Sequence, residues 1–346
     1  MFVRWERLTI EHEREAALPG FKEPARIRTF DAPEAIGTRF YEIRARSAIN
    51  KVPERSRMPF RYTINPYRGC AHACAYCFAR PTHTYLDFNA REDFEREIVV
   101  KVNAPEVVRA ELARPSWRGD HVALGTNTDP YQWVEGRYRL MEGIWEALRD
   151  YANPCSVLTK SPLLLRDIEL MKQLTDVTDF AANLSVPTLD EKAWRETEPH
   201  TPHPRKRLEA AGELTRAGIP TGVLIAPLMP GVNDAPEQVE EILELAGEAG
   251  ARTIGGVGLH LRGEVREIWF DWLRQYRPDL VPHYEKLYAR GAYLPRPEQE
   301  QLSAMARRGR SRSRARPIRD EARGPNRGPG TGPERPRRAQ TSLFPT

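Results

Sequence analysis

Residues 65–80 read NPYRGCAHACAYCFAR, and three of the four cysteines in the 346-residue chain fall inside this stretch. Cys70, Cys74 and Cys77 stand in a C-x3-C-x2-C spacing. A disulfide framework distributes its cysteines along a chain, so a trio confined to one short loop points to metal chemistry instead. Thiolate is the ligand that iron–sulfur clusters take, and three thiolates from one loop can reach three corners of such a cluster. The fourth iron is then left without a local ligand. That is a defect for electron transfer, but an open coordination site for binding and cleaving a ligand. A zinc site built from the trio with His72 or the distant Cys155 is the simpler alternative, although zinc sites more often come as two separated pairs. Cys155 lies in PCSVLTK, an apolar run where a lone cysteine reads as a small buried hydrophobe.

The cysteine loop directly follows RYTINPY, the first of six apolar runs of strand length. The others are HVALGT, PCSVLTK, TDFAANLSV, IPTGVLIAPL and TIGGVGLHL. Between and after them lie stretches of helical periodicity: CAYCFAR with its continuation, RYRLMEGIWEALRDY, LLLRDIELMKQL, PRKRLEAAGELTRAG, PEQVEEILELAGEAG and EVREIWFDWLRQY. Alternation of this kind predicts a parallel sheet flanked by helices. Two of the helices end on glycines that read as caps, Gly218 and Gly250. Six units are too few for a closed eight-stranded barrel. The expectation is an α/β fold, a partial (β/α)6 TIM-type barrel over residues 61–290, with chemistry at the C-terminal ends of its strands.

The flanks differ in composition. Residues 1–60 are mixed and are expected to pack on the barrel as an N-terminal extension, and residues 291–302 to act as a linker. Residues 303–346 hold twelve arginines against Asp320, Glu321 and Glu334, a balance of +9 within a chain whose formal net charge is +5. Residues 1–302 therefore carry −4, and the basic character belongs to the tail. Rich in Arg, Pro and Gly and poor in apolar residues, the tail is expected to be disordered. No run of about 18 uncharged apolar residues occurs. The opening MFVRWERLTIEHERE lacks the apolar core of a signal peptide, so the expected location is the cytoplasm.

Taken together and in order, INPYRGCAHACAYCFARPTHTYLD, GTNTDPYQ, LTKSPLLLRD, ANLSVPTLD, EPHTPHPRKRL and IAPLMPGVND resemble the radical S-adenosylmethionine superfamily. More narrowly, they resemble its DNA-repair-photolyase-like branch, the relatives of spore photoproduct lyase. The likeness spans about residues 40–290. It implies that Cys70, Cys74 and Cys77 ligate a [4Fe-4S] cluster whose fourth iron is chelated by S-adenosylmethionine. Tyr76 would then lie beside the cofactor adenine, where it is also a candidate for a catalytic role. Thr128 and Asp129 would meet the cofactor's ammonium. Lys160, helped by Ser161, would meet its carboxylate, and Ser185, with Asn183, would bond its ribose or carboxylate. His200, His203, Arg205 and Arg207 form a further polar cluster, read either as a phosphate site or as caps of the following helix. The glycines of IGGVGLHL read equally as room for a ligand or as strand packing.

Two residues depart from the lyase pattern. Asn127 stands where the lyase carries a hydrogen-donor cysteine, and Phe78 stands where it carries a tyrosine after the last cluster cysteine. The implied activity is reductive cleavage of S-adenosylmethionine to a 5′-deoxyadenosyl radical that takes hydrogen from a substrate. A nucleic-acid lesion or modified base is the expected substrate class. The expected partners are a flavodoxin- or ferredoxin-type electron donor and nucleic acid, the latter through the Arg-rich tail. A non-catalytic iron–sulfur or zinc protein with a nucleic-acid-binding tail is the rival reading.

Overall fold

The structure, a computed structural model, describes residues 10–17, 24–32, 35, 37–54, 56, 58–308 and 316–317. Strands β1 (Ile10–Ala17), β2 (Pro24–Phe30) and β3 (Arg39–Ile43) open it as an antiparallel meander. Strand β4 (Ile49–Lys51) then turns back along β5 (Tyr62–Ile64), the first barrel strand. Strands β6 (Tyr67–Arg68) and β7 (Glu97–Lys101) return to the first sheet, which runs β1-β2-β3-β7-β6.

Strands β8 (Val122–Leu124), β9 (Cys155–Thr159), β10 (Phe180–Ser185), β11 (Thr221–Leu228) and β12 (Thr253–Gly258) complete the second sheet, with the short β13 (Arg316–Pro317) at its edge. All six runs read from the sequence form strands here. From β5 to β12 each pairs in parallel with its neighbour, and the sheet remains open.

Helices at Leu140–Asp150, Ile168–Val177, Pro204–Arg216, Pro236–Glu248 and Val265–Tyr276 follow the strands, as their amphipathic periodicity requires. Two end in Schellman caps. Gly218 and Gly250 take φ of +85° and +75°. The following amides, of Ile219 and Ala251, reach back to the carbonyls of Leu214 and Ala246 at 3.0 Å each. The core between sheet and helices is centred on fully buried Trp145 and Trp269. A second core, of Phe30, Phe40, Tyr67, Ile98 and Val100, joins the small sheet to Val134 and Leu140.

Two expectations are corrected. CAYCFAR is not an α-helix: it is a run of turns leading into the 3₁₀ helix Arg80–Leu86. The cause is Arg80, buried to 2 % exposure, whose guanidinium takes the carbonyls of Ala73, Cys74, Ala90 and Arg91 at 2.9–3.1 Å. The helix of this first crossover is instead Ala104–Leu112.

The linker is in large part a helix, Arg296–Arg308, which also takes in the first residues of the expected tail. It lies on β12: a Cβ on Gly256 would come within 2.7 Å of Ala306, and one on Gly258 within 3.5 Å of Leu302. At these two positions the glycines serve strand packing. Apart from 316–317, the tail beyond residue 308 is outside the described residues.

Candidate active site at the cysteine loop

The loop leaves β5 at the C-terminal edge of the sheet and is tied down along its length. Gly69 takes φ +79°, and a Cβ there would sit 2.9 Å from the Phe94 carbonyl, so only glycine fits. The amide of Cys70 donates to Phe94 at 2.8 Å, and that of Ala75 to Thr197 at 2.9 Å. From the β8 side, the Thr128 hydroxyl donates to the Gly69 carbonyl at 2.6 Å. The Gln132 amide oxygen accepts from Ala71 N at 3.0 Å. Gln132 and Arg80 are thus organisers of the loop that the sequence reading did not pick out.

The three thiols are not equivalent. Burial acts on all three and raises the pKa of Cys74, which also feels Cys77 and Cys70, and of Cys77, which also feels Cys70. At Cys70 burial is overridden by the His72 imidazolium, and the pKa is lowered. His72 itself is buried, with Nδ1 3.4 Å from Asp129 Oδ2. Burial opposes its charge, but Asp129 and Cys70 lift its pKa to about 9. The Asp129 carboxyl, which burial would raise, is held at about 2 by His72, Thr159 Oγ1 at 2.5 Å and the Lys160 amide at 2.8 Å. The Tyr131 amide adds a fourth donor at 2.9 Å.

Across the loop stands a second buried charge group. Lys160, one residue past β9, lies over the Tyr76 ring at 5.7 Å and 3.8 Å from Glu198 Oε1. Its charge acts on the sulfurs of Cys74 and Cys77. The Tyr76 hydroxyl donates to Glu198. Glu198 and Arg207 form an ion pair at 2.6 Å with both side chains fully buried. Arg207 also donates to the Ser185 carbonyl at 2.9 Å, the Pro202 carbonyl at 3.0 Å and Thr201 Oγ1 at 2.7 Å. Sequence reading counted Arg207 but missed Glu198, although it opens the same EPHTPHPRKR segment.

The remaining candidates are spent on the chain itself. Ser161 Oγ accepts from Leu163 N at 3.2 Å as a helix cap, and Ser185 Oγ donates to the Ala226 carbonyl at 3.1 Å. Asn183 bonds the Val157 carbonyl at 3.2 Å. His203 caps the helix Pro204–Arg216, Arg205 pairs with Glu241 at 2.6 Å in solvent, and His200 contributes only its carbonyl, to Trp133 Nε1 at 2.7 Å. The structure does not gather these three into a phosphate site. The Asn127 amide donates to the Asn65 side chain at 3.2 Å. Phe78 is 46 % exposed, its ring 5.5 Å from that of His260.

This donor set fits an iron–sulfur cluster. It offers three thiols on one loop, one of them favoured as thiolate, with a lysine ammonium near the other two. Beyond the end of β8 the Thr126 hydroxyl is buried without a hydrogen-bond partner, the kind of group that a bound polar ligand satisfies. The residues fit a zinc site less well. His72 is engaged by Asp129, and Cys155 begins β9 while Lys160 follows its other end. Among the described residues no group of three or more His, Cys, Asp or Glu side chains is arranged to hold a single metal ion. Nor is any helix among them long and apolar enough to cross a membrane.

A parallel α/β sheet with a three-cysteine loop after its first strand defines a class of cofactor-dependent enzymes, and comparison with known proteins agrees. Residues 64–246 match the model of the Radical SAM superfamily, and the chain belongs to that family. It is 44 % identical over 304 residues to an uncharacterized protein of Mycobacterium tuberculosis, covering 87 % of this chain and 89 % of that one. An uncharacterized protein of Methanocaldococcus jannaschii is 28 % identical over 195 residues, 56 % of this chain and 69 % of the other. Among solved structures, spore photoproduct lyase superposes with a TM-score of 0.60 at 16 % identity over 80 % of each chain. Its complex with S-adenosylmethionine and dinucleoside spore photoproduct gives 0.58 at 16 % identity, also over 80 % of each chain. This likeness establishes the fold.

Proposed function

We propose that the protein cleaves S-adenosylmethionine reductively and uses the resulting radical to take a hydrogen atom from its substrate. The observation that carries this reading is the convergence of Cys70, Cys74 and Cys77 with Lys160, Tyr76 and Glu198 at the C-terminal rim of the sheet. Once bound on the three cysteines, a [4Fe-4S] cluster would supply one electron to S-adenosylmethionine, whose carbon–sulfur bond would break to give methionine and a 5′-deoxyadenosyl radical.

The protein's own residues bind and orient. Lys160 is the cation available to the cofactor carboxylate, as a point charge on a flexible stem. Tyr76 offers a ring face beside it. Thr128 and Asp129 support the site through the loop and through the Lys160 backbone, with any contact to the cofactor ammonium made by lone pairs left over from those bonds. Ser161 and Ser185 act through the turn after β9 and the end of β10. Burial of the loop excludes water from the reacting centre.

The substrate class we favour is a lesion or modified base in nucleic acid. It is supported by the fold shared with a lyase whose structure holds a dinucleoside photoproduct, and by the twelve arginines after residue 302. Asn127 and Phe78, in place of a cysteine and a tyrosine, argue against spore photoproduct lyase activity itself. The electron donor we propose is of the flavodoxin or ferredoxin type, and the location is the cytoplasm.

The test is anaerobic: reconstitution with iron and sulfide, reduction with dithionite, addition of S-adenosylmethionine and assay of 5′-deoxyadenosine. The product is expected from the wild-type protein and not from Cys74→Ala. A fully loaded four-iron cluster that forms no 5′-deoxyadenosine, and whose EPR signal ignores the cofactor, would overturn the reading in favour of a non-catalytic metal protein.

A further inference from the structure

The Glu198–Arg207 pair is in an unusual place for a structural ion pair. Both side chains are fully buried, and taking two charges out of water costs several kcal/mol per ion unless further hydrogen bonds satisfy them. Those bonds are present: Arg207 is satisfied by two carbonyls, the Thr201 hydroxyl and Glu198. Glu198 additionally receives the Tyr76 hydroxyl and faces the Lys160 ammonium. A pair needed only to tie the helix Pro204–Arg216 to β10 has no use for a lysine and a tyrosine. Both of these extra partners belong to the cysteine-loop site. Tyr76 sits between Cys74 and Cys77 in sequence, and Lys160 lies over its ring.

The charges form a graded line: Arg207 positive, Glu198 negative, Lys160 positive, then the cysteine sulfurs. Lys160 has the only flexible stem of the three charged side chains that is partly exposed, at 17 %. Left to itself, a lysine at the end of a strand would extend into water, where its charge is screened. Here its ammonium lies 5.7 Å over the Tyr76 ring and 3.8 Å from Glu198 Oε1.

We propose that Lys160 and Glu198, side by side at the cysteine loop, set the reduction potential of the cluster bound there through their opposite charges. This rests on the function proposed above. The potential of an iron–sulfur cluster responds to the net charge around it, to hydrogen bonds at sulfur and to exposure. A fixed positive charge beside the thiolates favours the reduced, more negative state, and Glu198 moderates that effect. The added electron comes from the external reductant, and no bond in the protein changes.

The test is the midpoint potential of the reconstituted full-length protein, read by EPR during dithionite titration without S-adenosylmethionine. Lys160→Met keeps the length of the side chain, loses the charge and is expected to move the potential down. Glu198→Gln keeps one acceptor oxygen, for Arg207, turns its amide N–H towards the Tyr76 hydroxyl oxygen, loses the charge and is expected to move it up. The double variant should lie between the two, because the single effects oppose each other. Shifts of the same sign in both single variants, or no shift, would overturn the proposal. Lys160→Met is the safer substitution, and an unchanged potential in that variant alone refutes the pair as a potential-setting device even if Glu198→Gln does not load iron. Failure of the wild-type protein to take up a four-iron cluster would instead count against the function proposed for the site, and with it against this inference.

Discussion

The two ends of β9 make a direct comparison, since five residues of one strand separate two unlike environments. At its start Cys155 is buried among Val122, Trp145 and Phe180, in the apolar core. Burial alone pushes its thiol pKa up, and no charged group contributes. At its other end, Thr159 and the following Lys160 sit among Asp129, Glu198 and the sulfurs of Cys74 and Cys77. The same strand therefore serves stability at one end and chemistry at the other. A barrel body of apolar contacts can carry a rim of buried charges only because the body is stable without them.

The sharpest way to break that comparison is to damage the body. Trp145 is fully buried, packs edge-on to Phe180 at 5.5 Å and donates to Tyr131 Oη at 2.6 Å. Trp145→Ala is expected to cost about 3–5 kcal/mol in denaturant unfolding of the metal-free protein. If stability were unaffected while iron uptake was lost, the division between body and rim would not hold.

A smaller effect tests the rim. Glu135 is fully buried, bonded by Tyr67, by Arg166 at 2.7 Å and by the amides of Leu140 and Met141. Burial outweighs these partners and raises its pKa from 4.5 to about 6. The folded state then holds the proton more tightly than the unfolded state. The stabilisation from this group is fully present below pH 4.5 and is lost as pH rises through about 6. The expected decline is on the order of 1–2 kcal/mol, and Glu135→Gln should flatten that part of the curve. A wild-type stability that rises between pH 4.5 and 6 in step with the variant would contradict this account.

The smallest expected effect is at Cys155. Cys155→Ala should cost about 1 kcal/mol, the loss of one buried sulfur, and leave iron content per chain unchanged. Reduced iron in that variant would make Cys155 a ligand and erase the contrast between the strand ends.

Much of the body was legible in the sequence, because periodicity and caps are local signals. The six apolar runs gave the parallel order, and Gly218 and Gly250 marked helix ends. The small sheet was not legible. Its β7, EIVVK, is an apolar run that pairs with a strand 58 residues earlier through partners such as Arg39 and Glu97, and β6 is two residues long. At the site, the cysteine spacing and the strand-end rule singled out the trio and Lys160. Glu198 escaped because its bond to Tyr76 spans 122 residues, and nothing near it in the sequence announces that contact. Arg80 escaped for the opposite reason: it stands within the motif, but an arginine there reads as solvated until its four carbonyl partners are seen.

The helix Arg296–Arg308 sets a limit on how the chain can be shortened. Leu302 and Ala306 are buried, and the glycine-paved face of β12 is their seat. A cut at residue 302, where the composition turns basic, would remove half of that cover and open an oily strip beside the last barrel strand. Trimming the arginine-rich end for solubility or crystallisation should therefore begin after residue 308, so that any change in nucleic-acid affinity reports on the arginines and not on a barrel that has lost its cover.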